Sequence, residues 1–152
     1  MRGNLYILST NKETVYNFNE ADFYHLAQNE CEWVEDCDPE LYANYLFEDL
    51  KEAGAETGTE LHSSGQRCPY VVITKEVKQN YFKKDFEKFK ELASSCDLEH
   101  FSTDSLYEIR MSIEDPYGDC AYVSDSFMAV ERFVREAEEN IKYYFGNIIT
   151  IT

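Results

Sequence analysis

An α+β fold with a mostly antiparallel sheet follows from three observations on this 152-residue sequence. Segments dense in β-branched and aromatic residues alternate with segments whose apolar residues recur at helical spacing. The order read along the chain, β-β-α-α-β-α-β-β-α-β, mixes two hairpins and extra strands with about four helices, unlike a doubly wound sheet. Hydrophobic residues make up 43% of the chain and aromatic residues 15%, enough to fill a core.

The elements are expected as follows. Residues 5–9 and 13–18 read as a hairpin across Asn11-Lys12, because asparagine tolerates the positive φ of a tight turn. A helix over about 20–33 starts at Asn19, with Asp22 at a capping-box position and Phe18 and Phe23 as a hydrophobic staple. Phe23, Leu26, Ala27, Cys31 and Val34 form its apolar face. A second helix over about 39–53 is capped by Asp38, with Pro39 and Glu40 in its first turn, and stops at Gly54. Residues 55–68 hold two glycines and no periodicity, and read as a mobile surface loop. A short strand over 70–74 precedes a helix over about 76–93, whose inner face runs from Val77 and Tyr81 to Phe89 and Leu92.

Residues 106–114 alternate, with Tyr107, Ile109, Met111 and Ile113 on one side, so a strand is expected there. A turn over 115–119 and a return strand over 120–124 follow. Phe127, Val130, Val134, Ala137, Ile141 and Phe145 stand in helical register. They give a fourth helix over about 126–145, stopped by Gly146, and a last strand over 148–152. Residues 1–152 read as one domain.

Charge carries the functional argument. Thirty acids against fourteen bases give −16. Residues 13–60 hold fourteen acids and one base, Lys51, whereas residues 61–95 hold seven bases and four acids. A block of like charge repels itself. It is relieved either by folding against the neighbouring lysines or by meeting a basic partner. The candidate partner-binding residues are Glu20, Asp22, Glu30, Glu32, Glu35, Asp36, Asp38, Glu40, Glu48, Asp49 and Glu52. Exposed helices usually pair such acids with lysines one turn away, and here the lysines are withheld.

This field repels nucleic acid and anionic membranes. It favours a basic protein, above all the Lys/Arg-lined groove of a nucleic-acid-handling enzyme. Spread along a helix, the block carries one net charge per roughly 5 Å, against one per about 1.7 Å for duplex DNA, so it is a partial mimic. Tyr24, Tyr42, Tyr45, Tyr117, Tyr143 and Tyr144 flank acidic positions, where a ring beside a carboxylate grips arginine.

Other chemistries leave little trace. No apolar run approaches the roughly 18–20 residues of a membrane helix, and the stretch over 5–8 is too short for a signal peptide. Five cysteines without a CxxC pair read as reduced thiols of a cytoplasmic protein. His25, His62 and His100 lack zinc spacing. Glu35, Asp36 and Asp38 lack the glycine and terminal glutamate of a calcium loop and read as a solvated turn and cap. Neither metal nor cofactor is expected. Phosphate-loop, dinucleotide, serine-elbow and zinc-protease motifs are missing. His62 and Cys68, beside Arg67, are the one base–nucleophile pair to inspect, on the premise that both are exposed.

In composition alone the chain is similar to small acidic proteins by which phages and mobile elements block restriction or CRISPR nucleases. That likeness implies a non-enzymatic inhibitor that acts as a DNA mimic. The alternatives are an acidic immunity or adaptor protein for a basic toxin or host protein, and a small enzyme with an unrecognised site. Oligomeric state is open, since the terminal strand can pair within its own sheet or across a dimer.

Overall fold

The computed structural model describes residues 3–16, 34–36, 44–113 and 118–151. Seven strands among them form one sheet: β1 (Gly3–Ser9), β2 (Val34–Asp36), β3 (Glu56–Leu61), β4 (Arg67–Val72), β5 (Cys120–Val123), β6 (Ser126–Ala129) and β7 (Lys142–Ile151). A 3-10 turn spans Thr14–Tyr16, and the α-helices are α1 (Tyr45–Glu52), α2 (Lys75–Ser95), α3 (Thr103–Ile113) and α4 (Val130–Glu136). Strand order is β3-β4-β7-β1-β5-β6, with β2 beside the far end of β7. Among the described residues, only the β1–β5 pairing is parallel. The chain is therefore α+β with a mostly antiparallel sheet, as its sequence predicts.

The centre of the sheet is β7. It pairs with β1 along one side, from Gly3↔Ile151 to Ser9↔Tyr144. On its other side β4 covers residues 142–144 and β2 covers residues 149–151. Its sequence, with Tyr143, Tyr144, Phe145 and Ile148, suits a strand packed on both faces. Alternation along β1 does the same. Tyr6 and Leu8 face the helices, and Leu5 and Ile7, 0% and 3% exposed, fill the opposite face.

The main core joins Tyr6, Leu8, Val71, Tyr143 and Phe145 of the sheet to Leu46 and Leu50 of α1, Val77 of α2, and Phe133 and Val134 of α4. Local chemistry fixes the helix ends. Asn44 caps α1 by accepting from the Phe47 N–H at 3.0 Å, and Thr74 caps α2 by accepting from the Val77 N–H at 3.2 Å. Gly54, at φ +98°, ends α1 with the paired bonds Gly54 N–H to Lys51 O and Ala55 N–H to Leu50 O.

Four expectations are corrected. Residues 55–68 are not a loop but most of the β3–β4 hairpin. Its glycines serve two needs: Gly65, at φ +87°, makes the turn, and Gly58 lies under the Tyr70 ring. Of the expected strand over 13–18, the described part holds a 3-10 turn, Thr14–Tyr16, and β1 finds its partners in β5 and β7. Residues 106–113 are helical, because Ser105, Ile109 and Ile113 share the half-buried side of α3 while Tyr107 and Met111 stay outside.

The fourth correction is the largest. Residues 126–145 are not one helix but β6, α4 and the start of β7. Ser124 and Asp125, at φ 51° and 62°, form a two-residue turn that folds β6 back on β5. Asn140, at φ 64°, separates α4 from β7. Gly146 does not stop a helix. It lies within β7 where the register against β1 slips between Tyr6 and Leu8, and a Cβ there would meet the Val15 carbonyl oxygen at 2.5 Å. The terminal strand pairs within the sheet. The expected helix over 20–33 and the first residues of the expected helix over 39–53 lie outside the described residues; the described part of the latter is α1, starting at Tyr45.

Candidate functional site: an acidic cleft walled by tyrosines

A cleft of about 340 Å³ opens where α1, α2, α4, the start of β5 and the end of α3 converge. Each carboxylate in it comes from a different element: Asp49 from α1, Asp85 from α2, Asp119 from the entry to β5, and Glu131 from the first turn of α4. Tyr6, Tyr45 and Tyr81 supply the rings, and no Lys, Arg or His is among the described lining residues.

Asp119 is fixed at the base. Its Oδ1 accepts from the Asn4 N–H at 2.8 Å, and its Oδ2 faces the Tyr6 hydroxyl at 3.5 Å. Its carbonyl oxygen accepts from the Val130 N–H at 3.3 Å, which ties the start of α4 to the same point. Glu131 then sits where the helix dipole favours a negative charge.

The tyrosine hydroxyls register the field. Burial first, then the charge of Asp119, pushes the Tyr6 hydroxyl well above its ordinary 10. Tyr81 shifts the same way, by burial and then by Asp49, Glu131 and Asp85. Both stay protonated and can donate. The cleft therefore offers carboxylate acceptors, a negative potential and aromatic walls, the combination that holds a guanidinium or ammonium group.

Three of the eleven sequence-predicted residues, Glu48, Asp49 and Glu52, are exposed on α1, and Asp49 enters the cleft. Glu35 and Asp36 are strand residues in β2, opposite Thr150 and Ile149, not part of a turn and cap. Glu20, Asp22, Glu30, Glu32, Asp38 and Glu40 lie outside the described residues. Three of the six lysines of α2 are engaged elsewhere. Lys78 donates to the Arg135 and Ala137 carbonyls, Lys83 lies 4.0 Å from Glu87, and Lys88 donates to the Ser112 carbonyl at 2.7 Å.

Of the tyrosines singled out, Tyr45 lines the cleft at 57% exposure, while Tyr143 and Tyr144 are buried. Tyr24, Tyr42 and Tyr117 lie outside the described residues. Sequence reasoning missed Tyr6, Tyr81, Asp85, Asp119 and Glu131. The available signal was aromatic: Tyr6 and Tyr81 interrupt otherwise aliphatic or Phe-rich inner faces with a hydroxyl that needs a partner when buried.

The expected His62–Cys68 pair does not form an open nucleophile site. Cys68 is 0% exposed in β4 and His62 is 6% exposed. His62 belongs instead to a clasp between the β3–β4 turn and the segment after β1. Its Nδ1 lies 2.7 Å from Ser64 Oγ, its Nε2 lies 3.1 Å from Glu13 Oε2, and Glu13 also accepts from the Ser63 N–H and hydroxyl. Those bonds, the Ser63 hydroxyl's first, hold the Glu13 carboxyl below its ordinary 4.5.

Among the described residues, no group of three His, Cys, Asp or Glu side chains is placed to hold a metal ion, and no helix is long and apolar enough to cross a membrane. No protein-family model, curated protein or solved structure matches the chain.

Proposed function

We propose that this chain is an acidic inhibitory binding protein of the phage or mobile-element anti-defence type. It acts in the cytoplasm, without a cofactor and without catalysis of its own. Its acidic face docks in the basic nucleic-acid groove of a nuclease or other defence enzyme and competes with the nucleic acid there. The cleft is the gripping point, taking an arginine or lysine side chain of the groove between carboxylates and rings.

One observation carries this reading. Four carboxylates from four separate elements converge beside three tyrosines, in a chain of net charge −16. A fold gathers like charges at a cost, and a cationic partner offsets that cost. The mimicry is partial: a duplex would be imitated by a dense convex row of charge, whereas here a concave receptor serves one projecting cation.

The test is affinity purification of the tagged chain from a DNA-rich bacterial lysate at low and then high salt, followed by a cleavage assay on the captured enzyme. The expected result is a basic nucleic-acid enzyme that is inhibited while bound, released by salt, and no longer held by an Asp49→Asn/Asp85→Asn/Glu131→Gln variant. A captured partner that resists high salt, or one held equally by the variant, overturns the proposal in favour of a shape-specific adaptor.

A further inference from the structure

The described residues expose few large apolar side chains outside one region. Apart from Tyr45 and Leu61, all of them fall within residues 86–111, on α2, α3 and their connection. Phe86 is 58% exposed, Phe89 49%, Leu98 94% and Phe101 56%. Leu106, Tyr107 and Met111 of α3 are each more than half exposed. At roughly 200 Å² per large side chain, these exposures amount to roughly 800 Å², the share one partner contributes to a standard protein interface.

The helix pair is an extension of the core at one end only. Val77 is the single buried residue of α2, and Tyr81 and Phe82 pack against the main core. Beyond them the stripe Phe82, Phe86, Phe89, Ala93 continues at helical spacing, away from that core. Within the pair, Ser105, Ile109 and Ile113 are only half buried, and α3 buries no residue fully. Helices of this length draw their stability from packing an apolar face rather than from propensity.

Charge identifies the occupant. Residues 75–113 hold seven bases, six lysines and Arg110, against eight acids, which leaves them within one charge of neutral. The rest of the chain therefore carries nearly all of the −16. Two copies brought together through the acidic remainder press like charges against each other, and here they do not. A strongly basic partner is drawn to the acidic remainder instead. On α2, Lys83, Lys84, Lys88 and Lys90 interleave with Glu87 and Glu91, so this helix presents both signs of charge to a second copy rather than one.

We infer that the α2–α3 hairpin is a self-association surface: two copies of this chain pair through it in a two-fold dimer with Phe86 and Phe89 at the centre. Each acidic cleft uses only the core-side end of the helix pair, at Tyr81, Asp85 and Ile113, so one dimer presents two of them. This inference stands independently of the proposed function.

Sedimentation equilibrium of the full chain from about 1 µM to about 100 µM brackets a micromolar dissociation constant. The expected species is twice 17.8 kDa, and it persists at high salt because its centre is apolar. Phe86→Ser/Phe89→Ser is expected to weaken the dimer by about 100-fold while the circular dichroism spectrum is retained. Should that variant unfold, Tyr107→Ser/Met111→Ser repeats the test on α3. A monomer across the whole range overturns the inference. So does a dimer that both folded variants preserve, or one that Asp49→Asn/Glu131→Gln disrupts.

Discussion

Replacing Gly146 by alanine tests the central strand directly. The added Cβ would lie 2.5 Å from the Val15 carbonyl oxygen and 3.2 Å from the Val15 Cβ. A carbon and a carbonyl oxygen rest at about 3.3 Å, so the contact is short by about 0.8 Å. The obstacle is main chain. Val15 is 2% exposed and packs with Cys68 and Tyr144, so relief comes only by shifting the 3-10 turn or by opening the β1–β7 ladder at its bulge. Overpacking of this kind costs about 1–3 kcal/mol, and the stiffer unfolded chain returns about 0.4–1 kcal/mol. A net loss of about 1.3 kcal/mol follows, or about 3–5 °C in Tm for a chain of this size. Urea unfolding monitored by tyrosine fluorescence measures it. Gly58→Ala is the internal control: its Cβ would meet the Tyr70 hydroxyl at 2.5 Å, but that is the end of a half-buried side chain that can swing aside. The reasoning is refuted if Gly146→Ala costs under about 0.5 kcal/mol, or if Gly58→Ala costs more than Gly146→Ala.

Further outcomes are expected. Leu50, 0% exposed beneath the sheet, loses about 2–5 kcal/mol on truncation to alanine, read from the shift in urea midpoint. The Glu60 carboxyl is held below its ordinary 4.5, first by the Tyr144 hydroxyl and then by Lys142, so its contribution is present above 4.5 and is lost as pH falls through its folded value. Glu60→Gln should therefore lower Tm at neutral pH, with the gap to the parent closing as the pH drops below 4.5; a gap constant with pH would contradict this. Alkylation followed by peptide mapping should label exposed Cys96 in the folded chain and spare Cys68 until denaturant is added. Early labelling of Cys68 would show that β4 opens readily.

Class and polarity were legible in the sequence because they rest on sums over many residues. Termini of elements were legible where one residue decides them, as at Gly54 and at the start of α2. Residues 126–145 misled because Phe127 of β6 and Ile141 and Phe145 beyond α4 continue by coincidence the helical register that Val130 and Val134 truly hold in α4, while the turn at Ser124-Asp125 adopts a conformation usually signalled by Asn-Gly. Residues 106–113 misled because Ile109 and Ile113 belong to both a two-residue and a four-residue repeat. For the site, Asp49 and Tyr45 were legible from neighbouring charge and ring. Asp85 was hidden among lysines, and Asp119 and Glu131 join the cleft only through pairings distant in sequence.

The position of β7 also dictates the order in which the molecule can assemble. The β3–β4 and β5–β6 hairpins close through short turns, and β5 pairs with β1 directly, but the β3–β4 hairpin cannot join the sheet before residues 142–151 are in place, because β7 is the strand between β4 and β1. Bringing β1 and β7 together across a loop of roughly 140 residues costs about 3 kcal/mol more chain entropy than closing a loop of five. Closing the β1–β7 ladder is therefore the slow event of folding, and the β3–β4 hairpin waits for it with its β4 edge uncovered. Gly3 and Ile151 stand opposite each other, one strand spacing of about 4.8 Å apart. A circular permutant that links them through a short turn, and opens the chain at the β3–β4 turn instead, converts the slowest pairing into a local hairpin and should fold markedly faster to the same sheet.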